Sequence, residues 1–343
     1  MLQLRHRAFE LEFEYPFTIS KGTKTHQPTL VVGLGLGQLM GLGEAPAINY
    51  YGVSVSDMIA MLEQKRSLIE RYALTDPQRF WHFLHHLLPG NNFLMAALDI
   101  AGWDLFSRMR RQPLYRTLGL STAVRPLNDY TLGHAKLEEM AAKMRAHPAA
   151  VYKVKMVNTA DIDLLRYLRT HTGSPFRIDA NEGFDFDGFR AILPELVKLG
   201  VILVEQPLNK NDWEAMKELK EISPLPLYAD ESCVEEQDVA RCAEAFHGIN
   251  IKLTKCGGIT PALRMITEAR KLNLRIMLGS MNESTIGTAA LAHLSPLVDE
   301  LDADGPLLLK EDVADGLRFD RERVSVSDSP GLGIVFFGEK RSN

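Results

Sequence analysis

Four short apolar runs between residues 151 and 230 each close on a charge: VYKVK at 151–155, FRID at 176–179, VILVE at 201–205 and PLYAD at 226–230. The closing residues Lys155, Asp179, Glu205 and Asp230 stand 24, 26 and 25 positions apart. That interval holds one strand, one helix and two loops, so the stretch reads as repeated βα units. The rhythm continues with Lys252 in INIK (249–252), Ser280 at the end of RIMLGS (275–280), and Asp302 and Asp304 in ELDAD (300–304). In a parallel barrel the C-terminal ends of all strands open on one face. Residues far apart in the chain then converge there, three acids and two lysines around one pocket.

Extending the pattern from Asp129 gives eight strands: DYTLG, VYKVKM, FRIDA, ILVEQP, LYADE, INIKL, RIMLGS and ELDAD. Helical segments such as DIDLLRYLRTHT, GFRAILPELVKLG and ITPALRMITEARKL lie between them. Seven helices between eight strands make a (β/α)7β barrel of the TIM type, expected over 121–309. Before it, residues 1–120 read as an α+β capping domain. LQLRHRAFELEFE, TLVVGLGLG and GLGEAP form antiparallel strands, and helical patterns then run from about Ser54 to Leu118, with Ser54 and Asp57 as caps of the first. The tail, 310–343, is strand-like and is expected to return to the capping domain and complete it.

Composition sets outer limits. Of 343 residues 45% are hydrophobic and 24% charged, an ordinary globular balance, and the length suits one large domain plus a smaller one. Net charge is −5 with no basic cluster, which argues against a nucleic-acid partner. The first residues, MLQLRHRAFELEFEYPF, carry charges throughout and cannot form a signal-peptide core, and no apolar run reaches membrane-spanning length. Cys233, Cys242 and Cys256 are odd in number and lack metal-ligand spacing, so they read as buried or free thiols of a cytoplasmic protein. Two motifs are decoys. Gly33, Gly35, Gly37, Gly41 and Gly43 do not follow G-x-G-x-x-G and read as a glycine-rich hairpin. His82, His85 and His86 lack acidic or cysteine partners and read as a surface or packing cluster on a helix.

An isolated acid at a strand end reads as a helix cap or an ion-pair partner. Asp179, Glu205 and Asp230 end three consecutive strands, and three carboxylates at one mouth would repel unless a cation bridged them. All-oxygen ligation points to Mg²⁺, or to Mn²⁺. Asn181, Glu182 and Glu231, beside these acids, are placed to orient them. Lys153 and Lys155 are two apart on one strand and so both face the barrel interior, where a lysine is costly unless it serves a site. Alternation puts Lys252 and Thr254 on one face and Lys255 on the other, so Lys252 is expected inward and Lys255 toward solvent or behind the site. A carboxylate bound to a divalent cation acidifies the neighbouring C–H by stabilising the enolate. Two amines facing that carbon from opposite sides would invert it.

These residues resemble the enolase superfamily, in particular its muconate-lactonizing-enzyme-like subgroup, through K-V-K at 153–155, D-A-N at 179–181, V-E-Q-P at 204–207, D-E-S at 230–232, N-I-K-L-T-K-C-G-G at 250–258 and PFTISKGTKT at 16–25. Sites of that superfamily are a known example of a Lys or His base working beside Mg²⁺ that stabilises the enolate. L-D-A-D-G-P-L-L-L at 301–309 resembles the D-x-D signature of dipeptide epimerases of the L-Ala-D/L-Glu epimerase type. The resemblance implies that Lys155 and Lys252 are the acid/base pair and that Asp179, Glu205 and Asp230 hold Mg²⁺. It also implies that Lys153 supports the substrate carboxylate and that Asp302 and Asp304 bind the free ammonium group of a dipeptide. Thr131, Ser280 and Asn282 would touch the dipeptide backbone. Lys24, in a capping-domain loop, falls where relatives acting on Ala-Glu carry an arginine; lysine keeps the charge without the bidentate fork. The expected reaction is epimerisation of the C-terminal residue of an L-Ala-Xaa dipeptide. The same scaffold also serves cycloisomerases, o-succinylbenzoate synthases and N-acylamino acid racemases, and outside catalysis the alternative is an inactive metal- or peptide-binding barrel. Symmetric homo-oligomers are common in the family.

Overall fold

A computed structural model describes residues 1–19 and 22–338. The N-terminal layer begins with an antiparallel sheet of β1 (Gln3–Ile19), β2 (Gly22–Leu36) and β3 (Leu39–Pro46), in that spatial order. Three helices cover it: α1 (Val55–Arg71), α2 (Pro77–Leu87) and α3 (Asn92–Met109). Local chemistry sets their starts. Ser54 Oγ accepts from the Asp57 N–H at 3.1 Å, and Asp76 Oδ1 accepts from the Arg79 N–H at 3.1 Å with Pro77 in the first turn. Leu30, Val32 and Leu34 of β2 pack on Leu62, Ile69, Leu94 and Leu98 in one apolar core. The glycine-rich hairpin serves packing. A Cβ at Gly43 would sit 1.9 Å from Ala97 O, and one at Gly41 would sit 2.2 Å from Ala101 O. The absent side chains let β3 lie directly against the backbone of α3.

A short helix, α4 (Leu114–Thr117), leads to eight parallel strands: β4 (Tyr130–Leu132), β5 (Tyr152–Lys155), β6 (Phe176–Asp179), β7 (Val201–Glu205), β8 (Leu227–Ala229), β9 (Gly248–Ile251), β10 (Arg275–Gly279) and β11 (Glu300–Asp302). They pair in sequence order, and a parallel bridge between Asn128 and Leu301 brings the first strand to the last. The crossovers are α5 (Leu137–Ala146), α6 (Ile162–Arg169), α7 (Phe186–Lys198), α8 (Trp213–Ile222), α9 (Asp238–Ala245), the short α10 (Leu253–Cys256) with α11 (Ile259–Lys271), and α12 (Thr285–Leu294). All eight expected strands are present, and the (β/α)7β reading holds. Within the barrel Leu203, Tyr228 and Met277 form a separate buried cluster below the charged mouth.

After β11 the chain forms α13 (Gly305–Leu308) and then four two-residue strands: β12 (Ala314–Asp315), β13 (Arg318–Phe319), β14 (Val324–Ser325) and β15 (Val335–Phe336). Leu309 bridges Phe13, the Lys310 N–H donates to Glu12 O at 2.9 Å, and the Leu332 N–H donates to the buried Asp104 of α3 at 2.7 Å. One detail differs from expectation. Lys24 lies within β2 opposite Phe17, not in a loop, because the β1–β2 pairing runs on to Ile19 and Gly22. Ser20 and Lys21 of the PFTISKGTKT segment lie outside the described residues. The three cysteines are free and buried. Among the described residues no helix is long and apolar enough to cross a membrane.

Candidate active site

The mouth of the barrel gathers the strand-end charges. Asp179, Glu205 and Asp230 are fully buried, with one carboxylate oxygen from each lying within 4.8 Å of the others. Gln206, with φ of 39°, links two of the strands that carry them: its Oε1 accepts from the N–H groups of Asp230 and Ser232, both at 3.1 Å. Asn250 Nδ2 donates to Glu205 Oε1 at 2.7 Å. Glu205 Oε2 is buried and, beyond its ion pair with Lys153, finds no hydrogen-bond donor among the described residues. Burial and the neighbouring Asp179 push the Glu205 carboxyl up to about 8. Burial opposes ionisation of Asp179 as well, but Lys153 and Lys155 beside it hold its carboxyl down at about 2. Hard oxygen donors this close, one of them under-satisfied, fit a divalent cation such as Mg²⁺.

Lys155 Nζ donates to Asp179 Oδ2 at 2.5 Å, and Lys252 Nζ donates to Asp230 Oδ2 at 2.6 Å. β5 and β9 are four places apart in an eight-stranded barrel, so the two amines reach the acids from opposite walls. Burial alone would lower Lys252; Asp230 and Glu205 outweigh it and hold the ammonium well above the usual lysine range. Lys153 lies deeper, with its Nζ 2.7 Å from Asp302, 2.8 Å from Glu205 and 3.0 Å from Asp179.

Of the two places that alternation left to Lys255, the structure gives the one behind the site. It is not solvated; its Nζ contacts Asp230 Oδ1 and Asp230 O at 2.5 Å and Cys233 O at 2.9 Å. β9 ends at Ile251 and the chain turns into α10, so strand periodicity no longer applies at position 255. Lys255 thus holds Asp230 from the side opposite Lys252. The Asn181 N–H donates to Asp179 Oδ1 at 3.2 Å, and Asn181 Nδ2 donates to Glu231 Oε1 at 3.1 Å. Glu182 Oε1 accepts from the Lys210 N–H at 2.8 Å.

At the eighth strand Asp302 accepts from Lys153, and Asp304 Oδ2 accepts from the Thr131 N–H at 2.6 Å. Both acids line one cavity with Lys24, Thr131, Lys153, Lys155, Lys252, Ser280 and Asn282, so every substrate-contact residue expected from the sequence opens onto the same space. Lys24 Nζ donates to Gln27 Oε1 at 3.2 Å and sits 6.0 Å from the centre of the Tyr50 ring; burial lowers its pKa. The apolar wall, Phe17, Ile19, Ile48, Tyr50 and Met281, escaped the sequence reading, since most of it comes from the N-terminal layer. Asp129, Arg177 and Asn250 were also missed. Each lies two residues before a residue read as inward-facing, and that offset was the available signal.

The loop carrying Ser280 and Asn282 is braced from two sides. Glu283 Oε2 accepts from the Met281 N–H at 2.6 Å. Glu44 of β3 accepts from Ser284 Oγ, the Ser284 N–H and the Gly287 N–H at the start of α12.

The Enolase C-terminal domain-like family model matches residues 136–340. An L-Ala-D/L-amino acid epimerase from Flavobacterium johnsoniae is 43% identical over 334 residues, covering 97% of this chain and 99% of the relative. Among solved structures, the substrate-liganded L-Ala-D/L-Glu epimerase from Bacillus subtilis superposes with a TM-score of 0.91 at 28% identity, covering 97% of this chain and 98% of the other. The dipeptide epimerase from Methylococcus capsulatus, complexed with Mg and the dipeptide L-Arg-D-Lys, gives a TM-score of 0.91 at 30% identity, covering 97% and 99%. With a barrel mouth of this geometry and matches that run nearly end to end, the chain belongs to the Enolase C-terminal domain-like family.

Proposed function

We propose that this protein is a Mg²⁺-dependent dipeptide epimerase that inverts the α-carbon of the C-terminal residue of L-Ala-Xaa dipeptides by transferring a proton between two lysines. The observation that carries the reading is the placement of Lys155 and Lys252 on opposite walls of one carboxylate trio, with Asp302 and Asp304 in the same cavity. The close relatives and structural neighbours that act on dipeptides support it.

Asp179, Glu205 and Asp230 would hold Mg²⁺, which when bound supplies positive charge at the substrate carboxylate and so stabilises the enolate formed when the α-proton leaves. The remaining work falls to side chains. Lys153 adds a second positive charge near the carboxylate. Asp302 and Asp304 fix the far end of the substrate by accepting from its ammonium group, which a muconate or succinylbenzoate lacks. Thr131, Ser280 and Asn282 border the peptide backbone, and Lys24 with Tyr50 borders the outer cavity. With the substrate so held, one lysine as free amine removes the α-proton and the other, as ammonium, delivers one to the opposite face. The reaction returns each lysine to the other's starting state, so the reverse direction uses the same pair.

Incubating the protein with Mg²⁺ and a small L-Ala-L-Xaa library in D₂O tests this reading by mass spectrometry and chiral analysis. The expected result is deuterium at the C-terminal α-carbon together with the D-epimer, without loss of dipeptide. Consumption of dipeptide, or no exchange from any library member, would overturn it. The same screen settles whether the second residue is acidic or apolar.

A further inference from the structure

The end of the barrel that holds Asp302 and Asp304 contains a third carboxylate. Asp129 lies two residues before Thr131 and faces inward with it. Its side chain is fully buried; Oδ2 accepts from Arg177 Nη1 at 2.8 Å, and among the described residues Oδ1 finds no hydrogen-bond donor. One carboxylate oxygen each from Asp129, Asp302 and Asp304 lie within 4.8 Å of one another. Two cations pair directly with the trio, while Lys155 and Lys252 act on Asp302 from farther off. Arg177 on β6 is shared with Glu300, and Lys153 on β5 is shared with Asp179 and Glu205. The demand of these carboxylates exceeds two shared cations. A buried acid with an empty acceptor position beside two others is tolerated only with a proton or a further cation close by. Burial, with Asp302 next to both, pushes the Asp304 carboxyl up to about 7 and that of Asp129 well above the usual range.

We propose that Asp129 is a specificity-determining residue: a third carboxylate behind Asp302 and Asp304 makes the site demand positive charge, not merely fit, at the amino end of the substrate. The inference rests on the dipeptide reading above and deepens it. Asp129 is 2% exposed and does not line the cavity, so it acts through the field it adds behind the two acids that do. Without substrate a proton resides among the three carboxylates. When the dipeptide ammonium arrives, its N–H groups donate to Asp302 and Asp304, and the resident proton leaves to solvent. A neutral amide or methyl group in the same place leaves the proton where it is.

The test compares L-Ala-L-Ala with N-propanoyl-L-alanine, the same molecule without its amino group, on the Mg²⁺-loaded full-length enzyme. Asp129→Asn keeps an acceptor for Arg177 and removes the charge. We expect kcat/KM for L-Ala-L-Ala to fall about tenfold or more, carried mainly by KM, while inhibition by N-propanoyl-L-alanine changes by less than about twofold. Equal losses for both probes, or none for either, overturn the proposal. A second readout needs no variant: calorimetry of the wild type at about pH 6.5, where the dipeptide ammonium is intact, in two buffers of different ionisation enthalpy. L-Ala-L-Ala should release protons and N-propanoyl-L-alanine should not; binding of the dipeptide without proton release overturns the proposal even if Asp129→Asn does not fold. Wild-type α-deuteration of L-Ala-L-Ala in D₂O is the parent control. If it is absent, the dipeptide reading falls and this inference with it. If it is present and Asp129→Asn discriminates as the wild type does, only the role of Asp129 falls.

Discussion

Glu44 on β3 and Ser284 at the head of α12 are 240 positions apart and meet side chain to side chain at 2.5 Å, both fully buried. The same carboxylate takes the Ser284 and Gly287 N–H groups and the Thr29 hydroxyl. An acid from the N-terminal layer therefore caps a barrel helix, where its charge suits the unpaired amides and the helix dipole. The loop just before that helix carries Ser280, Met281 and Asn282 into the cavity.

Glu44→Ala leaves these buried donors unpaired, and the expected loss is about 2–4 kcal/mol of stability. Because the loss acts on a loop that borders substrate, KM should rise more than kcat falls. Thermal melts and steady-state kinetics on the same sample check this, and an unchanged melting temperature would show that the cap contributes nothing.

The two lysines are separable by isotope. Lys155→Ala and Lys252→Ala should each lower epimerisation by about 10²-fold or more, the usual scale for a lost proton-transfer group. Residual α-deuterium wash-in should survive in each variant from one dipeptide epimer only, and from opposite epimers in the two variants. Wash-in from the same epimer in both would remove the assignment to opposite faces.

Three neighbouring buried carboxylates repel one another, and a divalent cation between them relieves that repulsion. Mg²⁺ should raise the melting temperature in proportion to the logarithm of its concentration, and a chelator should reverse the gain. Glu205→Gln exchanges a charged carboxylate ligand for a neutral amide oxygen and should sharply reduce the metal-dependent part of the shift. If it keeps the full response, the ion binds elsewhere.

His293 on α12 supplies a pH test remote from the site. Its Nδ1 accepts from the Tyr115 N–H at 3.2 Å, and its Nε2 lies 3.1 Å from Leu332 O, an arrangement that suits the neutral ring. Burial lowers its pKa to about 4. A depressed folded-state pKa gives stability that is complete above the unfolded histidine value, about 6.5, and is lost as pH falls toward 4, by about 3 kcal/mol in all. His293→Gln should flatten the wild-type stability profile through that window. Parallel profiles for wild type and variant would refute the assignment.

Much of this architecture was legible because barrel geometry converts spacing into position. A βα unit has a near-constant length, so charges at strand ends recur at a near-constant interval. Asp179, Glu205 and Asp230 could be placed together from their numbers alone. Lys155 and Lys252 followed from counting strands. The reading weakened where regular structure stopped. Alternation left Lys255 between solvent and a place behind the site, because the strand ends at Ile251 and the chain turns there into a short helix; the fold decides for the place behind the site.

The sequence by itself determined the barrel, the order of its strands and the ring of charge at its mouth, since those depend on periodicity and on which side of a strand a residue occupies. Only the tertiary structure decided what stands behind that ring. Barrel closure brings Asp129 against Asp302 and Asp304, packing of β3 brings Glu44 onto α12, and a one-turn helix sends Lys255 under Asp230. Each of these joins elements with no shared periodicity, and buried charge finds its partner through space, which no local pattern along the chain encodes.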